Sequence, residues 1–151
     1  MQFGYALVQV SDPQDWETYH RIRREELFSS DDPRGAYDPA HPDEFLPGHH
    51  SLLLKWKGEG VATARLDLRS NGLAVVRLVA VAKMEQGKGH GKKLSFLLEQ
   101  LAMMMGVTKF VLNARPSAIG FYRKEGYVFE SWDPEDLKHT SDGCVQMSKA
   151  L

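Results

Sequence analysis

Gln86-Gly87-Lys88-Gly89-His90-Gly91 joins two segments of opposite character. Before it, Leu73 to Ala82 is mostly apolar on both faces, the pattern of a central strand. After it, Lys92 to Met105 sets Leu94, Leu97, Leu98, Leu101 and Met105 on one helical stripe, with Gly106 as the stop. Glycines at a strand-to-helix junction let backbone N–H groups turn toward a bound anion, and the helix dipole behind them favours negative charge. The junction therefore suits a phosphate or pyrophosphate; the alternative is a glycine-rich turn that binds nothing.

The flanking segments set the architecture. Tyr5 to Val10 predicts a short strand, and Ser11-Asp12-Pro13 a helix start with a capping residue followed by proline. Trp16, Tyr19, Ile22, Arg23 and Leu27 recur at helical spacing, so a first helix is expected to reach about Phe28. Ser29 to Gly48 holds Pro33, Pro39, Pro42 and Pro47 and several acids, the composition of a long functional loop with room for one helical turn. His50 to Trp56 and Gly60 to Leu68 read as a hairpin joined at Lys57-Gly58-Glu59-Gly60, and Ser70-Asn71-Gly72 marks a second tight turn. Downstream, Lys109 to Asn113 reads as a short buried strand, and Pro116-Ser117 opens a helix ending at Gly126. Tyr127 to Trp132 and Cys144 to Ser148 read as final strands around a polar connection, Asp133 to Gly143. This order predicts an α/β (α+β) chain, residues 1–151 in a single domain, with a mixed sheet and one β-α-β crossover.

Bulk properties narrow the function classes. Hydrophobic residues make up 42%, an ordinary globular value, and the net charge of −1 gives no case for binding nucleic acid or an anionic membrane. Cys144 is the single cysteine, which excludes an internal disulfide and fits a reducing compartment. Met1-Gln2-Phe3-Gly4-Tyr5 lacks the layout of a signal peptide, and no apolar run approaches the ~20 residues of a membrane span, so a cytoplasmic location is expected.

Three phosphate-loop patterns compete for the glycine stretch. A Walker A loop fails because Lys93 follows Lys92 and Gln86 stands where the first glycine belongs. A dinucleotide fingerprint fits poorly, since the spacing is G-x-G-x-G, lies mid-chain, and the next strand ends in Asn113 rather than an acid. The pattern [RQ]-x-x-G-x-[GA] after a central strand is filled by Gln86, Gly89 and Gly91. One strand downstream stands a second segment, Asn113-Ala114-Arg115-Pro116-Ser117-Ala118-Ile119-Gly120-Phe121-Tyr122-Arg123-Lys124-Glu125-Gly126-Tyr127. Together the two segments resemble the GNAT superfamily of N-acetyltransferases. The downstream signature N…A-x-x-F-Y-x-K-x-G-[FY] maps without a gap onto Asn113, Ala118, Phe121, Tyr122, Lys124, Gly126 and Tyr127. Arg21 to Phe28, Gly60 to Leu66 and Val145 to Lys149 further resemble a bacterial subgroup of undefined substrate. Ser29-Ser30-Asp31-Asp32 departs from the Val-Glu-Gln-like stretch usual there.

The resemblance implies a mixed, mostly antiparallel central sheet of about seven strands flanked by about four helices, and acetyl-CoA as cosubstrate. It implies that Gln86, Gly87, Lys88, Gly89, His90, Gly91 and Lys92 form the pyrophosphate site. Lys88 and Lys92 equally suit solvated surface positions. It also implies that the backbone of Val79, Ala80 and Val81 holds the pantetheine arm and the acetyl carbonyl. Asn113 would bond the cofactor arm or serve as a turn residue. Tyr122 would face the sulfur as the catalytic residue, a phenol of pKa ~10 protonating a thiolate of pKa ~8–9; its alternative is a core tyrosine beside Phe121. The base that deprotonates the amine stays open among Glu44, His49, His50, Asp67 and a water chain. No metal is expected, because His41, His49 and His50 with Asp43 or Glu44 match no standard ligand template. Cys144 reads as a structural thiol, and Trp16, Trp56 and Trp132 as core or pocket wall. The expected activity is acetyl transfer to a primary amine of a small molecule or peptide by direct attack in a ternary complex. Acids in residues 31–44 favour a cationic acceptor. A non-catalytic acyl-CoA-binding sensor or regulatory module is the alternative, and the final strands offer an edge for a homodimer.

Overall fold

The computed structural model describes residues 4–28, 36–140 and 143–151. Ser29-Ser30-Asp31-Asp32, where the chain departs from the subgroup pattern, lies outside the described residues. The described strands are β1 (Tyr5–Gln9), β2 (His49–Trp56), β3 (Glu59–Leu68), β4 (Leu73–Val81), β5 (Lys109–Ala114), β6 (Val128–Phe129) and β7 (Val145–Ala150). They form one seven-stranded sheet in the order β1-β2-β3-β4-β5-β7-β6. β4 and β5 pair in parallel, and every other neighbouring pair is antiparallel. Among the described residues there are four α-helices, α1 (Pro13–Leu27), α2 (His90–Met104), α3 (Ile119–Lys124) and α4 (Pro134–Leu137). The mixed, mostly antiparallel sheet with four helices is the expected fold class.

Strand alternation divides the sheet into two faces. Ala62, Ala64 and Leu66 of β3, Val76 of β4 and Phe110 and Leu112 of β5 pack with Leu94, Leu98 and Ala102 of α2. On the opposite face Tyr19 and Ile22 of α1 pack with Leu53 and Ala80. The intervening residues on that second face are polar: Thr63, Arg65 and Asp67 of β3 are all buried. α1 starts as its sequence dictates, with Pro13 in the first turn and the Asp12 side chain accepting from the Asp15 N–H at 2.8 Å.

Two departures from regular sheet geometry open a cleft. β4 and β5 pair only through Leu73↔Lys109, Ala74↔Phe110 and Val75↔Val111. Beyond that point β4 shifts register against β3 between Thr63 and Arg65, and Leu78 takes φ 53°, a conformation costly for a leucine. The upper half of β4 is left with one edge bound to β3 and, among the described residues, no strand on the other.

Some elements differ from the sequence expectation. The helix expected from Pro116 to Gly126 is a 3-10 turn, Pro116–Ala118, followed by the short α3. The strand expected over Tyr127 to Trp132 is reduced to Val128–Phe129, because Trp132 turns away to place its N–H on the Gln146 side chain at 2.9 Å. The polar connection after it contains α4, whose N-terminus is capped by Asp133. The long loop carries a 3-10 turn at Pro42–Phe45.

Candidate active site

Gln86 begins the glycine loop with its side chain fixed to the end of β4 and to α1. Its Nε2 donates to Val81 O at 3.0 Å and to Glu26 Oε1 of α1 at 2.9 Å. Gly89 then takes φ +86° as the residue preceding α2, and no side chain caps that helix. Each N–H from Gly87 to Lys92 is without a protein acceptor among the described residues. A Cβ on Gly87 or Gly89 would meet nothing within 4 Å, so the space over the loop is open. This is a row of unsatisfied donors at the positive end of a helix dipole. The ring of His90 turns inward: it is buried, with Nδ1 2.7 Å from the Tyr5 hydroxyl and Nε2 3.2 Å from Glu85 Oε1. Lys88 pairs with Glu85 at 3.1 Å, whereas Lys92 is exposed and has no ion-pair partner among the described residues.

An open cleft of about 890 Å³ runs along the unpaired edge of β4. Val79, Asn113 and Tyr122 line it together, with Leu78 and Leu112. Gly91 ties the glycine loop to this wall, since a Cβ there would lie 3.6 Å from Phe121 and 3.8 Å from Val81. Ala80 points the other way into the α1 packing. The Tyr122 hydroxyl makes no hydrogen bond among the described residues, and burial of its surroundings pushes it up to about 12. Its ring packs edge-on against Phe121 and Tyr127.

The other half of the cleft is built on a row of charges. Glu44 and Arg23 are buried and paired at 2.6 Å, and Tyr19 and Ser51 also donate to Glu44. Burial alone would raise the Glu44 carboxyl, but Arg23 and these hydroxyl donors outweigh it and hold it at about 2. Asp67 accepts Arg65 Nε at 2.7 Å, Arg65 Nη2 at 2.9 Å and Arg77 Nε at 2.8 Å. Arg65 and Arg77 are cross-strand partners, a repulsive pair that Asp67 bridges. Arg77 also grips Asp136 with both Nη atoms, at 2.9 and 2.6 Å. Burial works against the Asp136 charge, but Arg77 and the Asn113 amide keep its carboxyl below the ordinary range.

Among the base candidates, Glu44 alone borders the cleft; His49, His50 and Asp67 do not. His49 Nε2 faces Asp67 at 3.5 Å, and His50 Nδ1 faces Gln9 at 3.1 Å. Asn113 lines the cleft with its amide already engaged, donating to Asp136 at 2.7 Å and accepting from Gln146 at 2.9 Å. Cys144, His41 and His139 also line the cleft. Sequence reasoning missed Arg77, Asp136, Gln146 and His139. The available signal was Arg65 and Arg77 inside strands that otherwise bury apolar groups, since charges in such places are paired. Among the described residues no group of three His, Cys, Asp or Glu side chains could hold a metal ion, and no helix is long and apolar enough to cross a membrane.

A glycine-rich helix start thus stands beside a parallel strand pair that splays apart beyond Val75 and Val111. Residues 16–127 match the model of the acetyltransferase (GNAT) family, and the chain belongs to that family. The ribosomal-protein-S18-alanine N-acetyltransferase from Escherichia coli has the same fold, with a TM-score of 0.74 at 17% identity over 97% of this chain and 94% of that one. An aminoglycoside 6'-N-acetyltransferase complexed with coenzyme A superposes with a TM-score of 0.76 at 13% identity over 96% of each chain. The PaiA N-acetyltransferase from Thermoplasma acidophilum, in complex with coenzyme A, gives 0.71 at 16% identity over 97% of this chain and 99% of that one.

Proposed function

We propose that this chain transfers an acetyl group from acetyl-CoA to a primary amine of a small molecule or peptide by direct attack in a ternary complex. The observation that carries the reading is the row of N–H groups from Gly87 to Lys92 without protein acceptors among the described residues. Such donors suit the pyrophosphate of coenzyme A, with Lys92, and Lys88 once released from Glu85, adding charge. The edge of β4 at Val79, Ala80 and Val81 would pair with the pantetheine amides as an added strand would, and a backbone N–H there would stabilise the developing oxyanion. The amine attacks the thioester carbonyl, the C–S bond breaks, and the departing thiolate is hydrogen-bonded by the Tyr122 hydroxyl and takes its proton as the proton lost by the amine returns to the phenolate. A hydroxyl with no partner among the described residues is free for that sulfur, and its raised pKa keeps it protonated through the physiological range.

Deprotonation of the amine is assigned away from Glu44, because a carboxylate held at about 2 beside Arg23 is a weak proton acceptor. Of the imidazoles bordering the cleft, His41 has its Nδ1 taken by the Asp43 N–H at 3.1 Å, which leaves His139 to accept the proton, directly or through water. The Glu44 charge is met by Arg23 and by Arg65 at 3.6 Å, but Asp38 and Asp43 also line the cleft, and these loop acids favour a cationic acceptor. Asn113 would shape the wall beside the thioester with its amide held by Asp136 and Gln146. A second copy would add at Val128 and Phe129, which are exposed on the edge strand.

Thiol release from acetyl-CoA, followed across an amine panel, tests the reading. Amine-dependent release that Tyr122→Phe suppresses supports it. Binding of acetyl-CoA without release to any amine would favour the non-catalytic acyl-CoA sensor.

A further inference from the structure

We infer that Asp136 is a positioning residue that sets how far β4 and β5 stand apart where their backbone pairing ends. The inference rests on the coenzyme reading of the cleft. The last parallel pair is Val75↔Val111. Arg77 and Asn113 are the next residues on the same face of their strands, and in a continuing sheet they would be neighbours about 4.8 Å apart. Instead the Asp136 carboxylate stands between them. One oxygen, Oδ2, accepts both Arg77 Nη1 at 2.9 Å and Asn113 Nδ2 at 2.7 Å, while Oδ1 accepts Arg77 Nη2 at 2.6 Å. A side-chain wedge takes the place of the next rung of backbone hydrogen bonds.

The wedge is itself anchored. Asp136 lies on α4, whose cap Asp133 accepts the Asp136 N–H at 3.4 Å. Gln146 of β7 fixes that cap, accepting the Asp133 N–H at 2.9 Å, donating to Asp133 O at 2.7 Å and donating to Asn113 Oδ1 at 2.9 Å. Arg69, just after β3, reaches Asp136 Oδ1 at 3.4 Å. The short helix α4 of the β6–β7 connection is thus braced by β7, and its Asp136 side chain bridges β4 and β5 through Arg77 and Asn113. The glycine loop follows the C-terminal end of β4, which ends at Val81, four residues beyond Arg77. Asp136 therefore controls the part of the cleft that takes the pantetheine arm and leaves the nucleotide end alone.

Calorimetric titration with two probes tests this: coenzyme A, and 3′-phospho-ADP, its nucleotide half. The ratio of their affinities reports the arm. Asp136→Asn is expected to leave 3′-phospho-ADP binding within about twofold and to cut the ratio about tenfold, the scale of a misplaced binding element. Arg77→Lys, which keeps the charge and loses the fork, is expected to lower the same ratio, and the double variant to lose no more than the worse single one. A lowered melting temperature with an unchanged ratio, or equal weakening of both probes, overturns the positioning role. Wild-type protein that binds neither probe contradicts the coenzyme reading itself, and the inference with it.

Discussion

Gln86 and Glu26 join the glycine loop to α1, through Nε2 to Oε1 at 2.9 Å. The same Nε2 reaches Val81 O at 3.0 Å, so one exposed amide fixes the loop to the end of β4 as well. Gln86→Ala removes both tethers. An exposed pair contributes little to global stability, so the melting temperature should move by no more than a few degrees. The affinity for coenzyme A should fall severalfold, read by calorimetry, because the donors of the loop are no longer held in one arrangement.

Gly89 precedes α2 at φ +86° with open space where a side chain would stand. Gly89→Ala meets no atom, so its cost in stability is the backbone penalty alone, about 1–2 kcal/mol. Its Cβ would enter the volume assigned to the pyrophosphate. Coenzyme A affinity is expected to drop at least tenfold, a larger effect than the loss of stability accounts for, measured by calorimetry beside a thermal melt.

Tyr122 donates no hydrogen bond among the described residues, so Tyr122→Phe should fold and melt like the wild type. Acetyl transfer should slow by about 10²-fold, the lower range for loss of a general acid, with coenzyme A affinity nearly unchanged. Because burial lifts the phenol to about 12, the wild-type rate should show no loss from Tyr122 ionisation up to about pH 10. A rate profile taken with a saturating amine reads both effects.

Glu44 and Arg23 form a buried pair, with the carboxyl lowered from 4.5 to about 2. A depressed carboxyl stabilises the fold above the unfolded value and loses that contribution as pH falls toward the folded one. Stability should therefore decline between about pH 4.5 and 2, by as much as about 3 kcal/mol, the free-energy equivalent of that lowering. Urea melts of Glu44→Gln should be flatter in that window. At pH 7 the variant should be destabilised, because Arg23 is left buried without its counter-charge.

The fold was legible where local signals were strong. Asp12-Pro13 marked the start of α1, the Lys57-Gly58 and Asn71-Gly72 turns bounded β3, and the glycine loop placed β4 and α2 around one junction. Val79 and Tyr122, which the resemblance assigned to one site, line one cleft. What the chain order did not carry was long-range. β7 inserts between β5 and β6, a pairing with no local trace in Val145 to Ala150. α4 hides in a polar connection because four residues are too few for a hydrophobic period. Nothing local to the loop marks Glu44 as neutralised, because the arginines that meet its charge come from α1 and β3.

Calorimetric titration of the folded chain with acetyl-CoA tests the central claim most directly. Saturable binding at one site per chain, weakened by added salt and by Gly89→Ala, is the predicted result. Well-folded protein that takes up no acetyl-CoA and releases no heat would contradict the account.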